Sequence, residues 1–563
     1  MPHSRFTGLQ QVVALSIITL VALVFAAHFS HGDADGTKTG TAVNATAFSG
    51  NGGGSFSTDC QAVTAEADAV KCAQDNIGAL ADQVGHNKLA ANFTWTLIMG
   101  SFVLFMQAGF ALLTTGLTRA KNAGHMMMLN FGAFVIAFIA YWAIGFAFHF
   151  GGVATTPSAP GNLGGAMVLG HLVTVANSSW GLFGTHGFFL MSGQAYDVGA
   201  LALFFFEVVF METAGYIIVG AIAERINFKT FIIAELVLGG LLYPIYGNWV
   251  WGGGWLSQIG KSWSLGHGAV DFAGSGVVHG TGGFIALALA ILLGPRIGKF
   301  AKDGSPHAIP GHSIPFVVTG TFILLFGWMG FNPGSTLGSS DLRIAVIIVN
   351  TLTASVFGAV AAMAWTGWHY GKPDISMSCN GMLAGLVAIT APCAFVAPWA
   401  AALIGLVAGF IVCAGVWFFD HVAHVDDPCG AVSVHGLGGA WGVISLGLFA
   451  DGTYGAGWNG ITGNVKGLFY GDASQLGAQL ISLAVCFAWG FGITYAIFSV
   501  YKRFTSMRVA PEVEIQGLDV PEFGVAGYGG FVMEAEMHGS IPEELLHHAR
   551  GVAVTRVAPR GAN

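Results

Sequence analysis

Apolar runs of about 20 residues recur along the chain, and a helix of that length spans a bilayer core of about 30 Å. Only 9% of the 563 residues are charged and 54% are hydrophobic, whereas a soluble domain carries about 25% charged residues. The runs are continuous and do not alternate with period two, which argues against a transmembrane β-barrel. The 84 glycines suit close helix–helix contact in a bilayer. The sequence therefore predicts an all-α polytopic membrane protein.

About eleven membrane spans are expected from these runs. In chain order they lie at 93–115, 125–150, 199–223, 229–250, 271–294, 314–332, 342–368, 379–393, 397–419, 431–450 and 474–500. Four regions follow from this division. Residues 1–28 are a signal peptide or an uncleaved first span, 29–92 a polar extension, 93–501 the membrane domain and 502–563 a tail.

The first 28 residues have the layout of a secretory signal peptide, because Arg5 precedes about 16 apolar residues and small residues follow. An uncleaved first span is the alternative. The extension at 29–92 is rich in Gly, Ser and Thr in its first part and helix-like in its second. Cys60 and Cys72 lie in this extension. They form a disulfide if it is outside the cytoplasm, or remain two thiols.

Positive charge is distributed unevenly between alternate loops. Eight Lys or Arg residues lie in one set of loops and three in the other. The first set comprises Arg119, Lys121, Arg225, Lys229, Arg296, Lys299, Lys302 and Lys372, and the second comprises Lys261, Arg343 and Lys466. Because Lys and Arg concentrate in cytoplasmic loops, the first set is predicted to be cytoplasmic. With an odd number of spans, residues 29–92 then lie outside and 502–563 inside, in a multi-pass protein of the cell (inner) membrane.

Several function classes are disfavoured by composition and spacing. The net charge is −8 and no Lys/Arg cluster is large enough for a phosphate footprint, so no nucleic-acid partner is expected. No nucleophile–base set or phosphate loop occurs, so we do not expect an enzyme. The seven cysteines lack metal-finger spacing, and neither a metal nor another cofactor is expected.

Two stretches of the chain share an aspartate–histidine unit. DFAGSGVVHGTGG begins at Asp271 and DPCGAVSVHGLGG at Asp427, and seven of the thirteen positions match. In each, the Asp stands eight residues before a His, which is His279 or His435. The two predicted spans cross the membrane in opposite directions, as in an inverted repeat.

The spacing within the unit predicts where the two histidines lie. Eight helical residues rise about 12 Å, so both imidazoles approach the middle of the bilayer and can meet there. Buried ionisable groups in a membrane usually face a cavity or pathway, which favours a function for His279 and His435. Two histidines satisfied by carbonyl groups are the alternative. Asp271 and Asp427 are expected to be helix N-caps, and Asp271 also to shape the outer mouth and bias it towards cations.

At these residues the chain resembles the ammonium transporter family (Amt/Mep/Rh), as an Amt-type member. DFAGSGVVH is similar to the family's first histidine motif and DDPCGAVSVHG to its second. GAIAERINF, WGGGWL, GWMGFNPGS and AKN resemble further blocks in the family's order, and the resemblance covers roughly 93–528. It implies two inverted five-helix repeats plus a last helix, in a homotrimer embedded in membrane lipid with one narrow apolar pore per subunit.

The resemblance also implies an outer recruitment site at Trp251, Phe210 and Ser335. Such a site is physically sensible, because ring faces attract a small cation and a hydroxyl oxygen accepts one N–H bond. The alternative for Trp251 is a tryptophan of the interfacial belt, which is common at this depth.

Below that site the resemblance assigns Phe210 and Phe331 to two stacked rings that close the pore, with Trp328 on the same wall. Plain core packing is the alternative for the phenylalanines, since the chain has 44 of them. His279 and His435 match the twin pore histidines.

The implied mechanism is recruitment of ammonium, deprotonation and conduction of ammonia. A charged ion is very costly in a dry apolar constriction, whereas neutral ammonia passes easily. Neutral imidazoles can donate to or accept from ammonia and can relay a proton. The protein would then serve nitrogen uptake.

One departure from the resemblance concerns acidic residues. Glu207 stands one helical turn before Phe210, where many relatives have Gln, and Glu212 follows in the same apolar span. Each of these acids must be paired, protonated or exposed to water. Glu207 is interpreted as an extra cation contact at the outer mouth or as a helix-packing hydrogen bond.

Other functions remain alternatives to transport. The main one is an ammonium sensor that signals through its cytoplasmic tail, but only about 60 residues follow the last span, too few for a fused kinase domain. The tail pattern EIQGLD–EFGVAGY resembles the family's cytoplasmic tail. A PII-type signalling protein at the cytoplasmic face is a possible partner by the same resemblance. A Rhesus-type gas channel and a metal transporter fit the aromatic cage and the two dry histidines less well.

Overall fold

A computed structural model of the chain describes residues 66–151, 163, 172–174, 181–190 and 198–528. The predicted signal peptide lies outside the described residues, as does the chain beyond residue 528. Cys72 is disulfide-bonded, and Cys60, the partner expected from the sequence, is also outside the described residues.

The described residues are almost entirely helical, which confirms the predicted all-α polytopic fold. The helices are α1 Glu66–Leu117, α2 Ala120–Phe150, α3 Val198–Ile222, α4 Phe228–Val250, α5 Trp255–Trp263, α6 Ser275–Leu293, α7 Ile314–Gly334, α8 Ile344–Tyr370, α9 Ile375–Ile389, α10 Pro398–Ala423, α11 Val432–Phe449, α12 Ala473–Tyr501, α13 Pro511–Gln516 and α14 Asp519–Phe523. Short 3₁₀ turns occupy Phe188–Leu190, Trp458–Gly460 and Leu468–Tyr470.

Ten helices in the described part of the chain are long and apolar enough to cross a membrane, and α9 adds a shorter apolar helix of 15 residues. Together they occupy the positions of the eleven expected spans. The first span differs in its start. Its candidate membrane segment is Asn87–Leu117, and the same helix runs without interruption back to Glu66, inside the predicted polar extension.

A small two-stranded sheet interrupts the helical pattern between α2 and α3. Strands β1 Leu172–Thr174 and β2 Gly181–Gly184 pair antiparallel. The indole nitrogen of Trp249 donates to the Leu182 carbonyl at 2.7 Å, which ties the sheet to the end of α4. The sequence analysis had no strand here, because the pairing depends on a contact with α4 that no local pattern records.

Helices α6 and α11 are related as the two halves of an inverted repeat would be. Each begins with one π-helical turn, Ser275–Gly280 or Val432–Leu437, and each of these turns contains the histidine of its unit. The first turn of α6 packs against the body of α11, and the first turn of α11 packs against the body of α6. The packing is therefore reciprocal.

Shared glycines explain how these two helices come so close. A Cβ added at Gly283 would overlap the backbone nitrogen of Gly436, and a Cβ added at Gly439 would overlap the Ser275 carbonyl and come within 2.9 Å of the Gly280 nitrogen. Gly283 and Gly439 are both the thirteenth residue of the unit. Small residues let helix backbones approach in a membrane protein, so the repeated HGxGG pattern sets the crossing.

Candidate functional site

The two histidines of the repeated unit meet in the interior. His279 Nδ1 lies 3.2 Å from His435 Nδ1, although the residues are 156 positions apart, and both side chains are buried. One of these nitrogens must carry the proton and the other accept it, if both rings are neutral. His279 Nε2 is buried and has no hydrogen-bond partner among the residues that the structure describes.

A column of rings continues from His279 in one direction. The His279 ring stacks on Phe331 with centroids 5.5 Å apart, and Phe331 stacks on Phe210 at 4.0 Å with an interplanar angle of 24°. Trp328 stacks beside His279 at 5.2 Å. All four side chains are buried, so they form a continuous apolar partition above the histidine pair.

The residues predicted for the outer site adjoin this column. Trp251 contacts Phe210 edge-on, with ring centroids 6.4 Å apart. Its indole nitrogen donates to the Asp271 carbonyl at 2.6 Å. Ser335 ends α7 one turn after Phe331, and its hydroxyl donates to the Phe331 carbonyl at 2.8 Å. The hydroxyl oxygen of Ser335 keeps its capacity to accept a hydrogen bond.

Both aspartates of the repeated unit accept hydrogen bonds from the start of the following helix. The Asp271 carboxylate accepts from four backbone N–H groups, at 2.8–2.9 Å. The Asp427 carboxylate accepts from Ala431 and Val432, at 2.9 and 2.8 Å. These contacts satisfy helix N–H groups that have no intrahelical partner. The N-cap residues themselves are Gly274 and Ala431, and not the two aspartates that the sequence predicted.

Glu207 lies within the membrane-embedded part of α3, one helical turn before Phe210. It is buried, and its Oε2 atom has no hydrogen-bond partner within the described chain. Its charge interacts with the hydroxyl groups of Tyr141 and Tyr243. One carboxyl oxygen is thus left available for a ligand, while the electrostatic contacts are to neighbouring helices.

His149, which was not predicted from the sequence, belongs to the same region. Its ring stacks on Trp251 with centroids 6.1 Å apart and an interplanar angle of 15°. Its Nδ1 lies 2.9 Å from the Tyr141 hydroxyl, and its Nε2 is buried without a partner in the described ranges. A histidine in the otherwise apolar run FAFHF was the available signal. Only the fold shows that it reaches Trp251.

Glu212 does not join the ring column but lies with a second acid. Its charge interacts with Glu235 of α4, and both interact with the Tyr216 hydroxyl. Glu212 Oε1, both carboxyl oxygens of Glu235 and the Tyr216 hydroxyl have no hydrogen-bond partner among the described residues. Phe110 stands between Tyr216 and His435, with ring centroids 5.4 and 6.3 Å away. Neither Glu235 nor Phe110 was predicted from the sequence.

A buried charge network closes the opposite end of the column. Arg296 donates to Glu224 at 2.7 Å and to Asp426 at 2.8 Å, and all three side chains are buried. Arg119 also pairs with Glu224, at 3.0 Å. Burial alone would raise the pKa of Glu224, but the two arginines outweigh it and hold that pKa well below its usual range. The inner end is therefore held together by full charges.

The chain after α12 packs onto this end of the membrane domain. Asp519 accepts from the backbone N–H groups of Gly124 and His125 at the start of α2, at 3.0 and 2.7 Å. Lys121 donates to the Glu514 and Ile515 carbonyls. The tail is thus fixed to the start of α2.

The chain is similar to known proteins over most of its length. The family described as "Ammonium Transporter Family" matches residues 94–528. The Archaeoglobus fulgidus protein "Ammonium transporter Amt2" is 47% identical over 448 residues, which cover 79% of this chain and 90% of the relative. "Ammonium transporter Amt1" of Haloferax mediterranei is 34% identical over 499 residues, 85% of this chain and 86% of the relative.

Solved structures show the same likeness. A "Sensor Amt Protein" superposes with a TM-score of 0.66 at 33% identity, covering 78% of this chain and 99% of that one. Mep2 of Candida albicans superposes with a TM-score of 0.62 at 28% identity, covering 75% of this chain and 87% of that one.

Proposed function

The chain belongs to the ammonium transporter family, and we propose that it recruits ammonium at an outer aromatic site, deprotonates it, and conducts ammonia through an apolar pore lined by His279 and His435. The observation that carries this proposal is the buried ring column that ends on a hydrogen-bonded histidine pair. The column is too apolar for an ion, yet it ends on groups that bind ammonia.

Recruitment is supported by the chemistry around Trp251. The faces of Trp251 and Phe210 attract a small cation, and the Ser335 hydroxyl oxygen can accept one N–H bond from it. Glu207 has a carboxyl oxygen without a hydrogen-bond partner among the described residues, and this oxygen could accept an N–H bond from the ion. Asp271 holds Trp251 in place through its carbonyl. The site therefore favours ammonium over a neutral gas.

Deprotonation is supported by the stacked phenylalanines. The ring centroids of Phe210 and Phe331 lie 4.0 Å apart, which leaves no room for a hydrated ion between the rings. The rings must therefore move before any molecule can pass. An ammonium ion stripped of water in an apolar site loses most of its hydration energy, whereas ammonia does not. Passage of the neutral molecule is therefore the favoured route.

The histidine pair then supplies contacts for ammonia. With one Nδ1 donating to the other, His279 Nε2 is left without a partner in the described structure. This nitrogen can accept from or donate to ammonia, depending on the tautomer. Neutral rings in contact also allow proton relay between them.

The assembly and orientation form part of the same proposal. We infer a homotrimer in the cell (inner) membrane, with one pore per subunit, residues 29–92 outside and the tail inside. The uneven distribution of Lys and Arg between loops supports the orientation. The ordered tail contacts at Lys121 and Asp519 offer a surface at the cytoplasmic face for a PII-type partner.

A sensor is the second candidate function. Its support is the superposition on the "Sensor Amt Protein", together with a tail that is bonded directly to the inner ends of α2 and α4. A change in the pore could reach the tail through these contacts. This function predicts ammonium binding without sustained flux.

The test is the current produced by an ammonium pulse on purified protein in liposomes adsorbed to a solid-supported membrane. The wild type should give a saturable current, and His279→Ala should lose it or lose selectivity against other cations. His307→Ala is the matched control, because His307 is exposed in a loop and should behave as the wild type. Specific ammonium binding by calorimetry with no wild-type current would reject transport in favour of the sensor.

A further inference from the structure

Helix α1 extends well beyond the membrane domain. It begins at Glu66, whereas its candidate membrane segment begins at Asn87. At 1.5 Å per residue the additional segment is about 30 Å long. Its described apolar side chains are largely exposed, with exposed fractions of 53% for Val70, 65% for Ile77, 42% for Leu80 and 46% for Val84. A water-exposed helix with such side chains has an uncovered apolar face.

The exposed apolar residues follow a seven-residue repeat. Val70, Ile77 and Val84 are seven positions apart, and Leu80 stands three positions after Ile77. In the heptad notation abcdefg, the first three are a residues and Leu80 is a d residue. Apolar a and d residues form the contact seam of a coiled coil, and β-branched residues at a are typical of it. The remaining d residues of the segment, Ala73 and Asn87, are also exposed.

The same line of positions continues into the membrane. The next a residues are Ala91, Ile98 and Phe105, and all three are exposed on the isolated chain. The next d residues, Thr94 and Ser101, are exposed as well. In lipid an exposed apolar side chain needs no partner, but the segment before Asn87 has no lipid around it. Its apolar face is therefore stable only against protein.

The segment also lacks the intrinsic stability of a free helix. It contains Gly78 and Gly85, and its a residues are all β-branched. Glycine costs about 1 kcal/mol relative to alanine within a helix, and β-branched residues are poorer helix formers than alanine or leucine. Short isolated helices are marginal in water even with better compositions. Packing on another element is what makes such a helix persist.

We propose that residues 70–87 of three copies of this chain pack together as a parallel coiled coil, the α1 seam, on the three-fold axis outside the membrane. The inference rests on the proposed homotrimer and gives the extension a function within it. Identical copies are the fitting partner because insertion in one membrane makes their α1 helices parallel and level. Each residue at position a then lies level with the same residue of the other two copies, so the helices are already in register.

The chain's own N-terminal residues are the competing occupant of this face. Cys72 is disulfide-bonded and is a c residue of the heptad. Position c faces away from the a/d seam, so the disulfide bond itself lies outside the seam. Lys71, at position b, likewise lies outside the seam and provides a control position.

Cysteine crosslinking tests the seam on the full-length protein in membranes. Val84→Cys and Ile77→Cys are expected to give covalent dimers on a non-reducing gel after mild oxidation. Three thiols in one layer can form one disulfide, so about two-thirds of the chains can be captured. Lys71→Cys should remain monomeric on the gel. The five free cysteines in the described chain are buried and should not react.

The outcomes separate the seam from the proposed function. Crosslinking at Val84 and Ile77 but not at Lys71 supports the seam. No crosslinking at the seam positions, in a protein that native mass spectrometry shows to be trimeric and that carries the ammonium current, overturns the seam alone. Equal crosslinking at Lys71 also overturns it, because collisions would then explain all three. A monomer by mass spectrometry rejects the seam together with the proposed trimer.

Discussion

The two copies of the aspartate–histidine unit fold alike locally but stand in unlike surroundings. In both, the Asp accepts backbone N–H bonds. The fourth residue, Gly274 or Gly430, has a positive φ that favours glycine, and the His lies in one π-helical turn. The matching positions of the unit are thus the ones that shape the backbone and bring the histidines together.

The differences lie around the aspartates. Asp271 accepts from four N–H groups, and its own carbonyl holds the Trp251 indole. The Asp427 carboxylate accepts from the N–H groups of Ala431 and Val432, and its neighbour Asp426 is paired with Arg296. Asp271 is therefore joined to an aromatic ring, whereas Asp427 stands beside an ion pair. The unit determines where the histidines meet, and the neighbouring residues determine whether each aspartate lies among aromatic or charged groups.

Arg296→Ala should cause the largest loss of stability, and it should disrupt only the ion pairs beside Asp427. The change leaves Asp426 and Glu224 buried without their main cation, and such a loss costs about 3–5 kcal/mol. Thermal unfolding of the detergent-purified protein, followed by tryptophan fluorescence, measures it. Arg343→Ala is the control, because the Arg343–Asp341 pair is partly exposed and such pairs contribute about 0–1 kcal/mol. Equal losses would contradict a structural role for the inner network.

Gly283→Ala should come next and would disturb both units at once. The added methyl overlaps the backbone of Gly436, and overpacking of this kind costs about 1–3 kcal/mol. Gly436→Ala is the matched control, because a methyl there meets nothing nearer than 3.6 Å. The yield and thermal stability of folded protein compare the two. If Gly436→Ala lowered yield and thermal stability as much as Gly283→Ala, the effect would be due to helix propensity and not to overlap at the helix crossing.

Removal of the caps should give a smaller and unequal effect. Loss of an N-cap costs about 0.5–2 kcal/mol. Asp271→Ala should fall at the upper end and Asp427→Ala at the lower, since Asp271 accepts twice as many of the described hydrogen bonds. The same thermal unfolding assay ranks them. A larger loss of stability for Asp427→Ala would contradict the prediction that the number of accepted hydrogen bonds sets the order.

The pH dependence of stability should have opposite signs at two adjacent residues. Burial raises the pKa of Asp427 to about 6, with hydrogen bonds from Val432 and Ala431 offsetting part of that rise. Burial would also raise the pKa of Asp426, but Arg296 and Arg225 lower it to about 2. A raised pKa contributes stability at low pH that is lost as pH rises, and a lowered pKa contributes stability that is lost as pH falls.

Thermal unfolding across pH separates the two contributions. The wild type should lose stability as pH rises from about 4 to about 6, and Asp427→Asn should not show this loss. The wild type should also lose stability as pH falls from about 4 to about 2, and Asp426→Asn should not show that loss. Profiles of both variants that run parallel to the wild type would show that neither carboxyl titrates in these ranges.

Much of the molecule could be predicted from the sequence alone. Continuous apolar runs predict the helices, because a helix in lipid satisfies all of its own backbone groups. The eight-residue spacing in two opposed spans predicts that His279 and His435 meet, since helix rise and bilayer thickness fix their depth. That Asp271 and Asp427 accept backbone N–H bonds from the start of the following helix also follows from local chemistry.

Other features were decided by the tertiary structure. His149 reaches Trp251, Glu235 joins Glu212, and Phe110 stands beside His435, each through a contact between helices distant in sequence. These apolar segments carry no periodic polar face that would indicate which side of each helix faces its neighbours. The local sequence thus determined the helices and the position of each polar group along them, whereas packing between helices determined which groups became neighbours.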